Sequence, residues 1–529
     1  MSERLADVLE GYLDLRWRIN PVEGTYVGRH EFDAELPRLD PTSLRDYVAA
    51  VRAYASSLEE ADAASLDDEI DRTAALHAAR HDLLVLEREK PFARDPSNAL
   101  LAALSGIHLL LAREPRDPEH RSAAVLGRVQ ALPRFFEEAA AALSEPRAVF
   151  FDTARAMLAG GVSLLREGLG AATLPGVDPI ALANARDEGV DALHRYGDAL
   201  ALMEPEAEAT VGIGRDLFDL KLHTAHMIRE NADELLRFGE RLRAEAMSEL
   251  ERLAPEVRPN TKWRDLVRQL REDTPTRETA LAEYRDAMRA AHDFTVERSL
   301  VSVPNGELAV MPTPDFLRAL IPFAAYQGPA AFEGDARGTF FVTLPRPGEP
   351  SRLHCRSELK STALHEGVPG HHLQIVTASR LERNVRRVLA SPAAQEGWAL
   401  YCEHLMAEEG FIRDPASRFF QVHHLLWRAL RVILDVSLHT KGMTVDTAAH
   451  LLRDELSLEE GAARAEAVRY CAFPTYQLCY ALGRRDIMRL RDDARAARGA
   501  GFSLRAFHDE LLSYGALPIP LARWGMGLA

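Results

Sequence analysis

Apolar residues recur at mixed three- and four-residue steps along most of this chain, with charged residues between them. The pattern is clear in LADVLEGYLDLRWRI (5–19), ENADELLRFGERLRAEAMSELERLA (230–254) and RETALAEYRDAMRAAHDFTVERSL (277–300). A helix with one apolar stripe must cover that stripe against another element, so such a chain folds as layers of helix on helix. Its abundant Ala, Leu, Arg and Glu all favour helices. With 529 residues, 47% of them hydrophobic, the chain can bury a large core. The expected class is mostly α. One region departs from it. Between 301 and 350 Pro and Gly cluster around two β-rich runs, ELAVMP (307–312) and GTFFVTLP (338–345). They predict a small hairpin or sheet just before a group of histidines. No repeat or strong linker divides the chain. It reads as one unit over 1–529, coarsely divided near 205–215 into an N-terminal helical part, 1–210, and a site-bearing part, 211–529.

Charge and cysteines narrow the function. Lys and Arg total 64 against 80 Asp and Glu, a net −16, which argues against a nucleic acid or an anionic membrane as partner. The four cysteines, Cys355, Cys402, Cys471 and Cys479, form no C-x-x-C pair and are expected as buried, reduced thiols. The first twenty residues are charged throughout, and no run nears the ~18–20 apolar residues of a membrane span. A cytoplasmic protein is expected.

STALHEGVPGHHLQ, residues 361–374, places His365 and Glu366 before a Pro369–Gly370 pair, and His371 and His372 after it. SELKSTALHE (357–366) is good helix sequence, with Ser357 or Ser361 available as caps. In the common zinc-peptidase motif H-E-x-x-H, two histidines four apart point the same way from one helix. Here the next histidine is six or seven residues on. On a straight helix the i+6 residue is turned away by roughly 120° and displaced by ~9 Å, and the i+7 residue is displaced by ~10 Å. Neither could share with His365 a metal bound at about 2 Å. Proline breaks the helix ladder and glycine tolerates the resulting backbone angles, so a bulge or break at GVPG would return a later histidine to His365. A carboxylate is offered by SPAAQEGWALYCEHLMAEEG. There Ser391 and Pro392 mark a helix start, Gly410 marks a stop, and Glu396 sits among apolar neighbours. Glu403, seven residues on, shares its face as a support or an alternative ligand. His365, His371 or His372, and Glu396 make a two-His, one-Glu set with an open position, which suits Zn²⁺.

HEGVPGHHLQ followed by EGWALYCEHL closely resembles the DUF885 family, bacterial and mostly helical proteins similar to zinc-dependent gluzincin peptidases. The resemblance runs from NPVEGTYVGRHEFDAELPRLDP through ARGTFFVTLP, RALRVILDVSLH and PTYQLCYALGRRDIMRLR to FHDELLSYGALPIPLA. It departs at Thr343, at Tyr476, and at DVSLH, where the family has DTGLH more often. The resemblance implies a large helical peptidase-like fold with a deep cleft, its active helix under a short edge strand to which an extended peptide could add. Comparison with the shorter gluzincin motif favours His371 over His372 as ligand. The implied activity is zinc-dependent hydrolysis of peptide or related amide bonds, with Glu366 as general base and then proton donor to the leaving amine. Tyr480, His439 and Tyr476 are candidates to stabilise the oxyanion. Tyr476, Phe341, Thr343 and Arg485 are candidates to contact a small peptide or amide substrate. The alternatives are a non-catalytic helical protein with a structural metal, a non-peptide amide hydrolase, and a non-haem iron enzyme. Retention of Glu366 argues against the first, because a structural site needs no base.

Overall fold

The computed structural model describes residues 3–113, 117–206, 211–314, 318, 321, 323–334, 336–347 and 354–528. Residues 207–210, within the expected boundary, and 348–352, within the Pro/Gly-rich run, lie outside the described residues. The chain divides into two compact units. One is Met1–Thr210 with Pro314–Pro322 and Ala330–Glu333, and the other is Val211–Thr313 with Phe323–Pro329 and Gly334–Ala529. The architecture is mostly α with one small sheet.

In the first unit α1 (Glu3–Ile19) turns Leu5, Leu9, Tyr12, Leu13 and Trp17 inward, the stripe read from the sequence. Arg128 on α2 (Pro118–Gln130) is fully buried. Its guanidinium donates to the carbonyls of Glu35, Gly106 and Phe32 and to Thr25 Oγ1, tying distant segments into one core. One helical stretch, Ala148–Ala171, is long and apolar enough by composition to cross a membrane, which corrects the sequence reading. Its Phe151, Ala154, Leu164, Leu165 and Leu169 belong to the unit's core.

The second unit holds the histidines. Its α3 (Ala232–Val257) opens on a capping box, in which Asn231 and Glu234 satisfy each other's backbone donors. Next come α4 (Ala280–Glu297) and strands β1 (Glu307–Pro312), β2 (Ala324–Gln327) and β3 (Arg337–Val342). The sheet order is β1–β3–β2. β1 and β3 are the two predicted runs, but they pair in parallel, so they are not a hairpin. β2 adds antiparallel to β3. The strand before the motif is therefore central, and the edges are β1 and β2. Phe340 and Val342 pack with Tyr284 and Met288 of α4.

The helices that build the site are α5 (Arg356–Glu366), α6 (His371–Ala378), α7 (Pro392–Glu408) and α8 (Pro415–Thr440), with α9 (Cys479–Arg498) near the C-terminus. Ser357 and Ser361 do not cap α5. Cys355 holds that position without a side-chain capping bond, and Ser361 is buried inside the helix. α7 and α9 cross at two facing glycines. A Cβ on Gly483 would collide with the Ala393 carbonyl and lie 2.6 Å from Gly397 Cα. All four cysteines are buried and free.

Candidate metal centre

The site begins where α5 stops. The Gly367 amide closes the helix on Ala363, the chain passes a cis Val368–Pro369 bond, and α6 restarts at His371. The Gly370 amide donates back to the Leu364 carbonyl at 3.0 Å. Its missing side chain is required, because a Cβ there would collide with the carbonyls of Leu364 and His365. Trp398 Nε1 on α7 donates to the Pro369 carbonyl at 2.8 Å and fastens the break to the neighbouring helix. The helix is broken rather than bulged, and the His371 ring lies 4.8 Å from the His365 ring.

α7 supplies the carboxylates. Glu396 Oε2 is 3.3 Å from His371 Nε2 and 3.9 Å from His365 Nε2. One ligand atom from each of His365, His371 and Glu396 lies within 4.8 Å of the others. Zinc bonds of about 2.0–2.2 Å in a tetrahedron place ligand atoms roughly 3.3 Å apart, so the residues fit a bound ion after small adjustments. Glu403 Oε1 accepts a hydrogen bond from His365 Nδ1 at 2.8 Å. That bond leaves the Nε2 lone pair of His365 turned towards Glu396. Glu403 is itself buried, with Arg428 Nη2 3.6 Å from Oε1 and, among the described residues, no hydrogen-bond partner for Oε2.

The electrostatics suit a cation. Burial pushes Glu396 up, but the hydrogen bond and charge of His371, the charge of His365 and the Tyr476 hydroxyl outweigh it and hold Glu396 down at about 2. Burial lowers His371, yet Glu396, Glu366 and Glu403 raise it above its ordinary value. Burial also raises Glu403, and the charges of Arg428 and His365 overcome it and lower it. Three carboxylates thus act on His371, with His365 and Arg428 offsetting part of their charge, a setting that accommodates a divalent ion.

The remaining sequence candidates divide. Glu366 is half-buried at the end of α5 beside His365, and its charge reaches His371. The Tyr476 hydroxyl donates to Glu396 Oε1 at 2.5 Å. The Tyr480 ring stands 6.1 Å from that of Tyr476, with the Arg431 guanidinium 4.7 Å over it. Among the described residues no hydrogen bond engages the Tyr480 hydroxyl.

The other candidates are directed elsewhere. His372 shares a 2.9 Å hydrogen bond with the Tyr326 hydroxyl of β2 and packs on the sheet, not in the cluster. His439 is buried, hydrogen-bonded to the Tyr470 carbonyl at 3.1 Å and stacked with Phe218, so an oxyanion role for it is withdrawn. Arg485 pairs with Glu230 and Asp486 and lies over Phe238, so it is not free for a substrate carboxylate. Thr343 Oγ1 donates to Thr313 Oγ1 at 2.8 Å, and Phe341 is buried with its backbone paired between Met311 and Ala325, so neither is open to substrate.

Two residues did more than their sequence indicated. Asp435 accepts hydrogen bonds from the Thr475 and Leu478 amides and so fixes the turn that carries Tyr476. Arg428 supports Glu403. Their signal was a charged stripe, Arg428, Arg431 and Asp435, at helical spacing within the otherwise apolar LLWRALRVILDV.

Two solved structures are similar to this chain over nearly its whole length. One is described as a putative lipoprotein of unknown function from Shewanella oneidensis. Its TM-score is 0.78 at 22% identity, with 99% of each chain covered. The other is described as the putative lipoprotein from Colwellia psychrerythraea. Its TM-score is 0.85 at 18% identity, with 99% of this chain and 98% of that one covered. At such identity the likeness shows the fold. Those descriptions overturn the expectation of a cytoplasmic protein, since lipoproteins point away from the cytoplasm. The charged residues of the first helix were a weak guide, because they are the outer face of an amphipathic element of the fold. No curated protein is similar in sequence. The DUF885 family, described as a bacterial protein of unknown function, matches over residues 21–526.

Proposed function

This chain belongs to the DUF885 family, and from that premise we propose that it is a zinc-dependent hydrolase of peptide or related amide bonds in short, extended substrates. The observation that carries the proposal is the convergence of His365, His371 and Glu396, with Glu366 beside the first of them. Two imidazole nitrogens and one carboxylate oxygen are a donor set suited to zinc, and Glu403 behind His365 fixes the ring's orientation. When bound, the ion would supply Lewis acidity to a water and to the scissile carbonyl.

The chain's own groups would do the rest. Glu366 accepts the proton of the attacking water and passes it to the leaving amine. Tyr476 holds Glu396 from the side facing away from His371, since it binds Oε1 while Oε2 faces the imidazole. Tyr480, with its hydroxyl unengaged and its ring held by Arg431, is the donor for the oxyanion. The test is incubation of the protein with a mixture of short unstructured peptides, read by mass spectrometry before and after chelation. Cleavage should stop on chelation and return with Zn²⁺. Cleavage indifferent to the chelator, or none from fully metal-loaded protein, would refute the proposal.

A further inference from the structure

The first unit carries a second group of metal-ligating side chains, far in sequence from the motif. His30 opens a short helical turn, His30–Phe32, and Asp33 follows it. His120 lies in the first turn of α2. His30 Nδ1 is 2.9 Å from Asp33 Oδ2, and His120 Nε2 is 3.7 Å from the same oxygen. His30 Nε2 is 3.4 Å from Glu333 Oε1. One ligand atom from each of His30, Asp33 and His120 lies within 4.8 Å of the others. The two separations at Asp33 bracket roughly 3.3 Å, the edge of a tetrahedron with bonds of about 2.0–2.1 Å.

A second observation points to a ligand. Asp33 is 2% exposed, and its other oxygen, Oδ1, is buried without a hydrogen-bond partner among the described residues. An orphaned buried carboxylate oxygen is costly unless something cationic satisfies it. The charges of Arg128 and Arg113 reach Asp33, but the donors of Arg128 end on Thr25 and on backbone carbonyls, not on Oδ1. The geometry is built by backbone elsewhere. Gly28, at φ +89°, allows the Ala330–Glu333 segment to approach, and the Phe332 amide donates to the Val27 carbonyl at 2.9 Å.

We propose that His30, Asp33 and His120, with Glu333 at hand, form a second divalent transition-metal site, which clips three sequence-distant segments of the first unit together. Imidazole nitrogens select an ion of the zinc or nickel class over magnesium or calcium. Closing a long loop in this way stabilises the fold that holds it.

The test is metal content after equilibrium dialysis against Zn²⁺, with thermal unfolding alongside. The wild type should hold two equivalents. The double variant His30→Ala/His120→Ala should hold one and gain less in Tm from added Zn²⁺. Glu396→Ala should also hold one. Both histidines are about half exposed, so the double variant should fold, and its retained equivalent at Glu396 would report that it has. The single variant His120→Ala should weaken the second equivalent at least tenfold. If the Glu396 cluster took no metal, the wild type would hold one equivalent and the double variant none, which still supports the second site. A double variant with wild-type metal content, or a Glu396→Ala protein with no metal, would overturn it.

Discussion

His371 and His372 are adjacent in sequence and do different work. One faces Glu396, and the other faces the Tyr326 hydroxyl of the sheet. His371→Ala is therefore expected to strip the metal. His372→Ala should keep it and lose a hydrogen bond together with the buried ring's packing on the sheet, a cost of about 2–4 kcal/mol. Metal analysis of the two purified variants checks this, and the reverse pattern would reassign the ligand. Behind the cluster, Glu403→Gln should weaken metal binding by roughly 10–100-fold, because it leaves His365 without its carboxylate partner. Competition with a chromogenic chelator measures it. Tyr480→Phe removes a hydroxyl that makes no hydrogen bond among the described residues, so folding and metal content should hold. If the hydroxyl meets the oxyanion, kcat should fall by about 10²–10³-fold with KM little changed. Wild-type kcat would move the role to Tyr476.

At the scale of elements, the crossing of α7 and α9 sets the precision of the site, because α7 carries Glu396 and Glu403 and α9 carries Tyr480. Gly483→Ala would force a methyl into the Ala393 carbonyl. Overpacking of this kind costs about 1–3 kcal/mol, and more where backbone must move. Denaturant unfolding should show that loss together with reduced metal content. The amphipathic helices were legible because their apolar stripes repeat at the helical period. The break at GVPG was legible because Pro and Gly have specific backbone consequences. β2 was not, since AAYQ is short and lies in a Pro/Gly-rich stretch. The parallel pairing of β1 and β3 was not either, because two β-rich runs carry no mark of their relative direction. The misplaced candidates share a cause. Spacing assigns His439, Arg485 and Thr343 to a face of an element, but not the partner on that face. Three of those partners, Tyr470, Glu230 and Thr313, are distant in the chain.

At the scale of the whole molecule, the site-bearing second unit confines what can be a substrate. The cluster's side chains are only 9–13% exposed, so a folded protein could not bring a backbone carbonyl to them. Activity is expected on short unstructured peptides or small amides, and a folded protein should survive the same incubation intact on a gel. Rapid, chelator-sensitive cleavage of a folded protein would contradict that. The net charge of −16 remains an argument against nucleic acid as the partner. A zinc centre with Glu366 as its base is tested by one paired measurement on Glu366→Gln: zinc content and peptide turnover on the same preparation. Expected are wild-type zinc and turnover reduced by at least 10²-fold, since the substitution removes the base and leaves His365, His371 and Glu396 untouched. Zinc retained with wild-type turnover would contradict it.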